Sequence, residues 1–232
     1  MRLFTLIGAS LGLQVFLVWG TTIINKDTQQ CGRQLEEPFF DPRIGGGSML
    51  DSSAGLGEPL NVVISGLSDS DVLDVLGGFY NYAHAIGFSY ECLGIHIGDP
   101  QQANLGDSRG WVNQMAVLRQ DYDDSIFGTC AESLVGGNHF RVYQQQGTCA
   151  LFLAVSIEES ATTHHDIEPN GYDAGRDAFV AAAVGETEFG GVKYFTTAET
   201  LEGLLPTGDQ GINHGISIDG NVVLLTVTIY DY

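Results

Sequence analysis

The chain has 232 residues, with 9 Lys and Arg against 29 Asp and Glu, for a formal charge of −20. An acidic excess of that size repels nucleic acid and anionic membrane surfaces. Only 16% of residues are charged and 44% are hydrophobic, which excludes a disordered acidic tail and describes a packed protein suited to acidic surroundings, where many carboxylates are neutral.

The chain opens with Arg2 and an apolar run from Leu3 to Val18. This pattern predicts a secretory signal over residues 1–20, cleaved near Gly20. The run is close to the lower limit for a membrane span, and no basic cluster follows it to stop transfer. The expectation is a secreted, extracellular protein without a membrane span after signal removal. Gly8-Ala-Ser10-Leu-Gly12 matches the Gly-x-Ser-x-Gly pattern of hydrolases but lies within the leader. Four cysteines follow, Cys31, Cys92, Cys130 and Cys149. An even number in a secreted chain predicts two disulfides. Three pairings are open, of which Cys92–Cys130 with Cys31–Cys149 is preferred. Their spacings fit no zinc motif, and the sequence carries no Asn-x-Ser/Thr sequon.

Residues 21–58 read as an irregular arm, with linker-like Gly45-Gly-Gly-Ser and Asp51-Ser-Ser-Ala-Gly-Leu-Gly, tied down by Cys31. Leu60-Asn-Val-Val-Ile-Ser reads as a buried strand. Ser68 three residues before Asp71 is a helix-start signature, and Val72, Leu76, Phe79, Ala83 and Ile86 form one apolar face of a helix ending near Gly87. Gly77 and Gly78 each weaken that helix by roughly 1 kcal/mol against alanine. Cys92-Leu-Gly-Ile-His-Ile is a second predicted strand, 98–111 a long loop, and Trp111 to Gln120 a strand or short helix. Asp121-Tyr-Asp-Asp-Ser reads as a solvated acidic turn, since no glycine or terminal glutamate completes a calcium loop.

Asn138 to Gln144 alternates, with Phe140 and Val142 facing one way and His139, Arg141 and Tyr143 the other. Ala150 to Ile157 is nearly all apolar, as for a central strand covered on both faces. The most informative stretch runs from Thr162 to Val180. It carries His164, His165 and Asp166, then a Pro-Asn-Gly turn, then a helix predicted to start with Asp173 as N-cap and stop at Gly185. That start puts Arg176 in the first turn, where it opposes the helix dipole by several tenths of a kcal/mol. A carboxylate such as Asp173 or Asp166, or a bound anion, would offset the cost. A strand is expected near Val192 to Thr197. Asp219-Gly220 predicts a hairpin pairing Ile216 with Val223 and His214 with Leu225, all on the core face.

Taken in order, Asn61-Val-Val-Ile-Ser-Gly66, Asn138-His-Phe-Arg-Val-Tyr143, Leu151 to Ser156, Thr163-His-His-Asp-Ile-Glu-Pro169, Gly175-Arg-Asp-Ala-Phe-Val180 and Asp219-Gly-Asn-Val-Val-Leu224 resemble the C-terminal domain of LssY-type proteins. The resemblance covers residues 61–229, within a domain placed at 59–232, and the chain is also similar to uncharacterised secreted fungal proteins. Bacterial members are often attached to membrane proteins with a lipid-phosphate phosphatase-like domain. The resemblance thus implies an anionic lipid or phosphate ligand by association only. This chain departs from the family in its signal, its disulfide-capable cysteines and its lack of a membrane partner domain.

The fold expected is α+β, a single domain with a mixed, largely antiparallel sheet and two main helices packed on it. His139, Arg141, His164, His165, Asp166, Arg176, Asp177 and His214 are the candidate ligand-binding residues, converging on one pocket for a small phosphate-like or carboxylate anion. The bland alternative pairs His139 and Arg141 with Asp166 and Asp177 to link strand and helix. A hydrolase with a histidine base and Asp166 as orienter is chemically possible, with Ser156 and Ser217 as positional candidates only. A zinc site of His164 or His165 with His139 and His214 is weaker, since adjacent histidines in an extended segment point to opposite faces. No cofactor or resident metal is predicted, and His84 and His96 read as ordinary residues. The favoured function is non-catalytic extracellular binding; the alternatives are a His/Asp or metal hydrolase and a purely structural polar cluster.

Overall fold

The computed structural model describes residues 36–94, 99–124, 127–163 and 166–231. The segment expected to be a signal (1–20), Cys31, His96, His164 and His165 lie outside the described residues. The strands are β1 (Val62–Ile64), β2 (Phe88–Tyr90), β3 (Gln102–Asn104), β4 (Trp111–Asn113), β5 (Ala116–Gln120), β6 (Gly137–Gln144), β7 (Leu151–Glu158), β8 (Gly185–Phe189), β9 (Val192–Leu201) and β10 (Val222–Asp231). The helices are α1 (Gly78–Ala85), α2 (Gly128–Val135) and α3 (Gly171–Ala183).

Eight strands make one mixed sheet in the order β2-β5-β6-β7-β1-β10-β9-β8, and β3 and β4 form a separate two-stranded ribbon. The short β-branched β1 is buried along its whole length and lies near the middle, antiparallel to β7 and parallel to β10. The other neighbours in the sheet are antiparallel. The class is therefore α+β with a mixed sheet, and the described residues form three α-helices where the sequence suggests two main ones.

The period-two pattern of β6 sorts its side chains as expected. Phe140 and Val142 join a cluster with Val62, Ile64, Leu153, Val155 and Leu225 from the sheet, Phe79 and Tyr82 from α1, and Phe179 from α3. Phe140 meets Phe179 at 5.1 Å and 82°, and Phe88 at 5.1 Å and 66°. Edge-to-face pairs of this kind each contribute about 1 kcal/mol beyond the area they bury. Tyr143 faces the other way, with Val63, Phe152, Ala154 and Leu224. That second face is covered by Met49, Leu60, Leu105, Leu205, Ile212 and Ile218.

Several local expectations fail for identifiable reasons. The helix expected from Ser68 begins only at Gly78, because 69–77 is spent on successive turns such as Val72 N–H to Asp69 O and Gly77 N–H to Asp74 O. At Gly78 a Cβ would lie 2.2 Å from the Asp71 carbonyl oxygen, so the turns and α1 meet where a side chain has no room. Leu76, placed on the apolar face by its spacing, is 64% exposed. The strand before Gly94 is Phe88–Tyr90, and Cys92–Gly94 is a 3-10 turn. Trp111 to Gln120 resolves into β4 and β5. The 51–58 stretch is no linker: Asp51 and Glu58 are buried, and Leu50 bridges to Pro59.

The Asp219-Gly220 turn signal does not make the expected hairpin. β10 pairs with β1 and β9, Ile218 bridges to Gly208, and His214 sits exposed in a 3-10 turn at φ 58°. Val223 and Leu225 then face one cluster and Ile216 and Ile218 the other. The hairpin actually present in this half joins β8 and β9, with Phe189 opposite Val192.

Cys92–Cys130 is bonded as the preferred pairing has it, tying the 92–94 turn to α2 across 38 residues of sequence. Closing a loop of that length contributes about 4 kcal/mol in the chain-entropy account. Cys149 is also disulfide-bonded, and its partner lies outside the described residues.

Helix α3 starts two residues earlier than its sequence suggests, because Asn170 takes the left-handed conformation at φ 64° and leads straight into Gly171. It is anchored to the sheet through its carbonyls: Asn138 Nδ2 donates to Gly175 O at 2.8 Å, and Asn61 Nδ2 to Tyr172 O at 3.0 Å. Gly175 lies so close to β7 that a Cβ would be 2.8 Å from Ser156 Cα. Helix propensity alone favours Gly175→Ala by about 1 kcal/mol. The close approach reverses that sign, and urea denaturation should show a loss of about 1–3 kcal/mol.

Candidate functional site

The face of β6 opposite Phe140 presents His139 and Arg141, and the register fixes what lies beside them. Arg119 on β5 and Ser156 on β7 are the cross-strand partners of His139. Arg119 reaches two carboxylates, one on α2 and one at the end of β7. Its Nη1 donates to Glu158 Oε2 at 2.7 Å and to both oxygens of Glu132, on α2, at 3.1 Å. Glu91 lies 3.7 Å from Arg119 Nε. His139 Nε2 is 3.3 Å from Glu158 Oε1.

These groups are deep in the protein, with side-chain exposures of 0% for Glu132, 1% for His139 and 10% for Glu158. Burial drives the His139 imidazole down to about 3, helped by Arg119 and Arg141 and opposed by Glu158, so the ring is neutral at ordinary pH. Burial lifts Glu132 to about 7, with Arg119 pulling down and Glu158 pushing up. Neither ring nitrogen of His139 completes a hydrogen bond, nor does Ser156 Oγ.

Two residues along β6, Arg141 enters a second group. Its Nη1 donates to Glu58 Oε2 at 2.6 Å and lies 3.8 Å from Asp51 Oδ2. Asp51 accepts from the Tyr143 hydroxyl at 3.1 Å and from the backbone N–H groups of Ser53 and Glu58 at 3.0 and 2.8 Å. The arrangement docks the 51–58 segment on the sheet. Burial raises the Glu58 carboxyl above its usual range despite the opposing field of Arg141.

Arg176 belongs to a third group. It lies in the second turn of α3, 4% exposed, because the helix starts at Gly171. Its guanidinium grips Asp219 with two bonds of 2.7 and 2.9 Å, and also bonds Asp177 Oδ1 at 2.9 Å, Asp173 Oδ1 at 3.4 Å and the Asn221 carbonyl at 3.1 Å. The Asp219-Gly220 turn thus serves as a receptor for the α3 arginine. Asp173 acts inside the helix rather than as its N-cap, accepting the Asp219 backbone N–H at 3.0 Å.

The sequence-derived set is therefore distributed. His139 and Arg141 share a face of β6 but take separate carboxylates, Glu158 and Glu58, rather than Asp166 or Asp177. Arg176 and Asp177 belong with Asp219. His214 Nδ1 lies 4.0 Å from Asp166 Oδ1 at an exposed site. His164 and His165 fall outside the described residues. Asp121, expected in a solvated turn, is buried and accepts a 2.7 Å bond from Ser89 Oγ. The residues that sequence reasoning passed over are Arg119, Glu132, Glu158, Glu58, Asp51 and Asp219. A charge at the end of an apolar strand was the available signal for Arg119 and Glu158.

Next to the Arg119 group, and sharing Glu91 with it, an open groove of about 270 Å³ runs past Tyr80, Tyr90, Glu91, Gln114 and Met115. Tyr80 and Tyr90 stack there at 4.0 Å. The chain matches no family model, no curated protein and no solved structure.

The Arg176 group yields a pH test. Burial pushes the Asp219 carboxyl up, but bonds from Arg176 and the Asn221 backbone outweigh it and hold the group below 3.8. A depressed carboxylate stabilises the fold above its unfolded value and loses that contribution as pH falls through its folded value. Asp173, raised by burial and by Asp219, has the opposite sign, so the two are separated by comparing proteins rather than pH values. Asp219→Asn should melt below wild type at pH 7, and thermal melts should show the gap shrinking as pH falls below 3.8.

Proposed function

We propose that this is an exported, non-catalytic domain that binds a macromolecular partner outside the cell, and that it is kin to the LssY-type C-terminal domain through the order of its motifs. The observation that carries the binding reading is the outer face of α2. Phe127, Ala131, Leu134 and Val135 recur at helical spacing on one side of it, and all four are exposed. Leu93, joined to α2 through the Cys92–Cys130 bond, is exposed as well. A contiguous apolar face with acidic neighbours such as Asp123 fits a partner surface that is apolar at its centre and basic at its rim.

The charged groups support the non-catalytic part. Each described arginine already holds a carboxylate: Arg43 with Asp41, Arg109 with Asp107, Arg119 with Glu132 and Glu158, Arg141 with Glu58, and Arg176 with Asp219. A small anion would have to displace one of these internal partners. That weighs against the anionic ligand which the same residues suggest in sequence.

The test immobilises the chain lacking residues 1–20 and exposes it to the medium in which its producing cells grow. Wild type should retain a discrete partner, and the double substitution Leu134→Asp, Val135→Asp should weaken retention at least tenfold with an unchanged melting temperature. Equal retention by both proteins contradicts the α2 reading. Turnover of a chromogenic ester or phosphoester that disappears in His139→Gln would establish a hydrolase instead.

A further inference from the structure

The inner side of α2 faces different chemistry. Glu132 from α2, His139 from β6 and Glu158 from β7 bring one donor atom each within 4.8 Å of one another, and all three residues are buried. We propose that these residues supply three ligands of a buried, stabilising site for one divalent transition-metal ion of the zinc class, with a fourth position left for water or another donor. The site is distinct from the outer face of α2 and does not depend on the binding reading.

Buried carboxylates alone would not carry this, because Arg119 already accompanies them. The second observation is the imidazole. His139 is 1% exposed, and although Glu158 Oε1 and the Ser156 backbone lie near enough to raise its affinity for a proton, neither ring nitrogen completes a well-formed hydrogen bond; Ser156 Oγ, on its cross-strand neighbour, is equally buried and equally without one. Buried polar atoms are nearly always satisfied, so two such side chains facing one another across a strand pair mark a place where something else binds. A metal ion on Nε2 would use its lone pair. Nδ1 would then carry the proton.

The spacing fits. Tetrahedral zinc with ligand bonds of about 2.0–2.2 Å places its donors roughly 3.3 Å apart. His139 Nε2 and Glu158 Oε1 are 3.3 Å apart. Arg119 does not occupy that edge, since it is the other oxygen of Glu158, Oε2, that takes its 2.7 Å bond. Glu158 is thus divided between a guanidinium on one oxygen and an imidazole on the other, an arrangement in which a carboxylate bridges a cation and a metal.

Charge also fits. Glu91, Glu132 and Glu158 surround a single guanidinium. The local field is therefore acidic even with Arg119 in place, and a divalent ion would favour the ionised form of Glu132, which burial otherwise lifts to about 7. One imidazole nitrogen among carboxylate oxygens suits zinc and its neighbours better than calcium or magnesium, which prefer oxygen alone. The ion would join a helix to two strands, so its expected effect is on stability.

The test uses the full mature chain, stripped with a chelator and titrated with Zn2+ by calorimetry, with Co2+ absorption and zinc-edge X-ray absorption as direct probes of the ligands. Wild type should bind one ion in a saturable step, melt at a higher temperature when loaded, and show a single imidazole in an otherwise oxygen shell. Glu132→Gln and Glu158→Gln, which keep the side-chain shape, should each weaken binding by at least tenfold; circular dichroism of the metal-free variants separates this from unfolding. Wild type that binds no Zn2+, or binds it weakly at many sites with an all-oxygen shell, overturns the proposal. So does tight binding that both folded variants retain unchanged.

Discussion

A carboxylate can leave water only with a proton or a cation to accompany it, and this chain has few cations to offer. It carries 29 acids and 9 bases, yet Asp51, Glu58, Asp121, Glu132 and Glu158 are all buried. For most of them the fold meets that constraint with arginines whose acids come from distant parts of the sequence, as Arg119 and Arg141 show, while Asp121 is held by the Ser89 hydroxyl. Arg141 joins β6 to Glu58, 83 residues earlier. Arg119 joins β5 to α2 and β7, and Arg176 joins α3 to the turn before β10. Removing one partner of such a buried pair leaves an uncompensated charge, which is why the pairs act as fasteners whatever their net contribution when intact.

This arrangement divides the molecule by chemistry. One face of the sheet is fastened chiefly by aromatic and aliphatic packing against α1 and α3. The other face mixes apolar contacts with the Arg141 and Arg119 groups, and it is there that irregular segments such as 49–60 and 201–218 are held down. An irregular segment offers few backbone ladder bonds of its own, so side-chain acids such as Asp51, which takes two backbone N–H groups and a tyrosine hydroxyl, supply the missing fixation.

The strands with a clear period were legible in the sequence. The alternation of β6 and the continuous apolar run of β7 predict their burial because the side-chain period of a strand is fixed by its pleat. Local signals for helix starts and hairpins were less informative. Ser68 caps no helix, because its hydroxyl accepts the Val227 backbone N–H of β10, and Asp219-Gly220 does turn the chain, but its carboxylate was needed for Arg176. Gly190-Gly191 was an equally good turn signal and marks the real β8–β9 hairpin. Burial of Glu132 was not readable, because nothing within α2 announces an arginine supplied by β5. Residue types identified the groups able to do chemistry; their partners depended on contacts across tens of residues, which no local pattern encodes.

The central claim is that arginine–carboxylate pairs fasten the second face of the sheet, and the Arg141–Glu58 pair tests it most directly. A double-mutant cycle with Arg141→Met, Glu58→Gln and both together, followed by urea denaturation, isolates the pairwise energy. Each single change should destabilise by about 3 kcal/mol, and the double should cost clearly less than their sum, with a coupling of at least about 1.5 kcal/mol. Additive losses with no measurable coupling would contradict the account and leave the apolar contacts alone to hold the 49–60 segment in place.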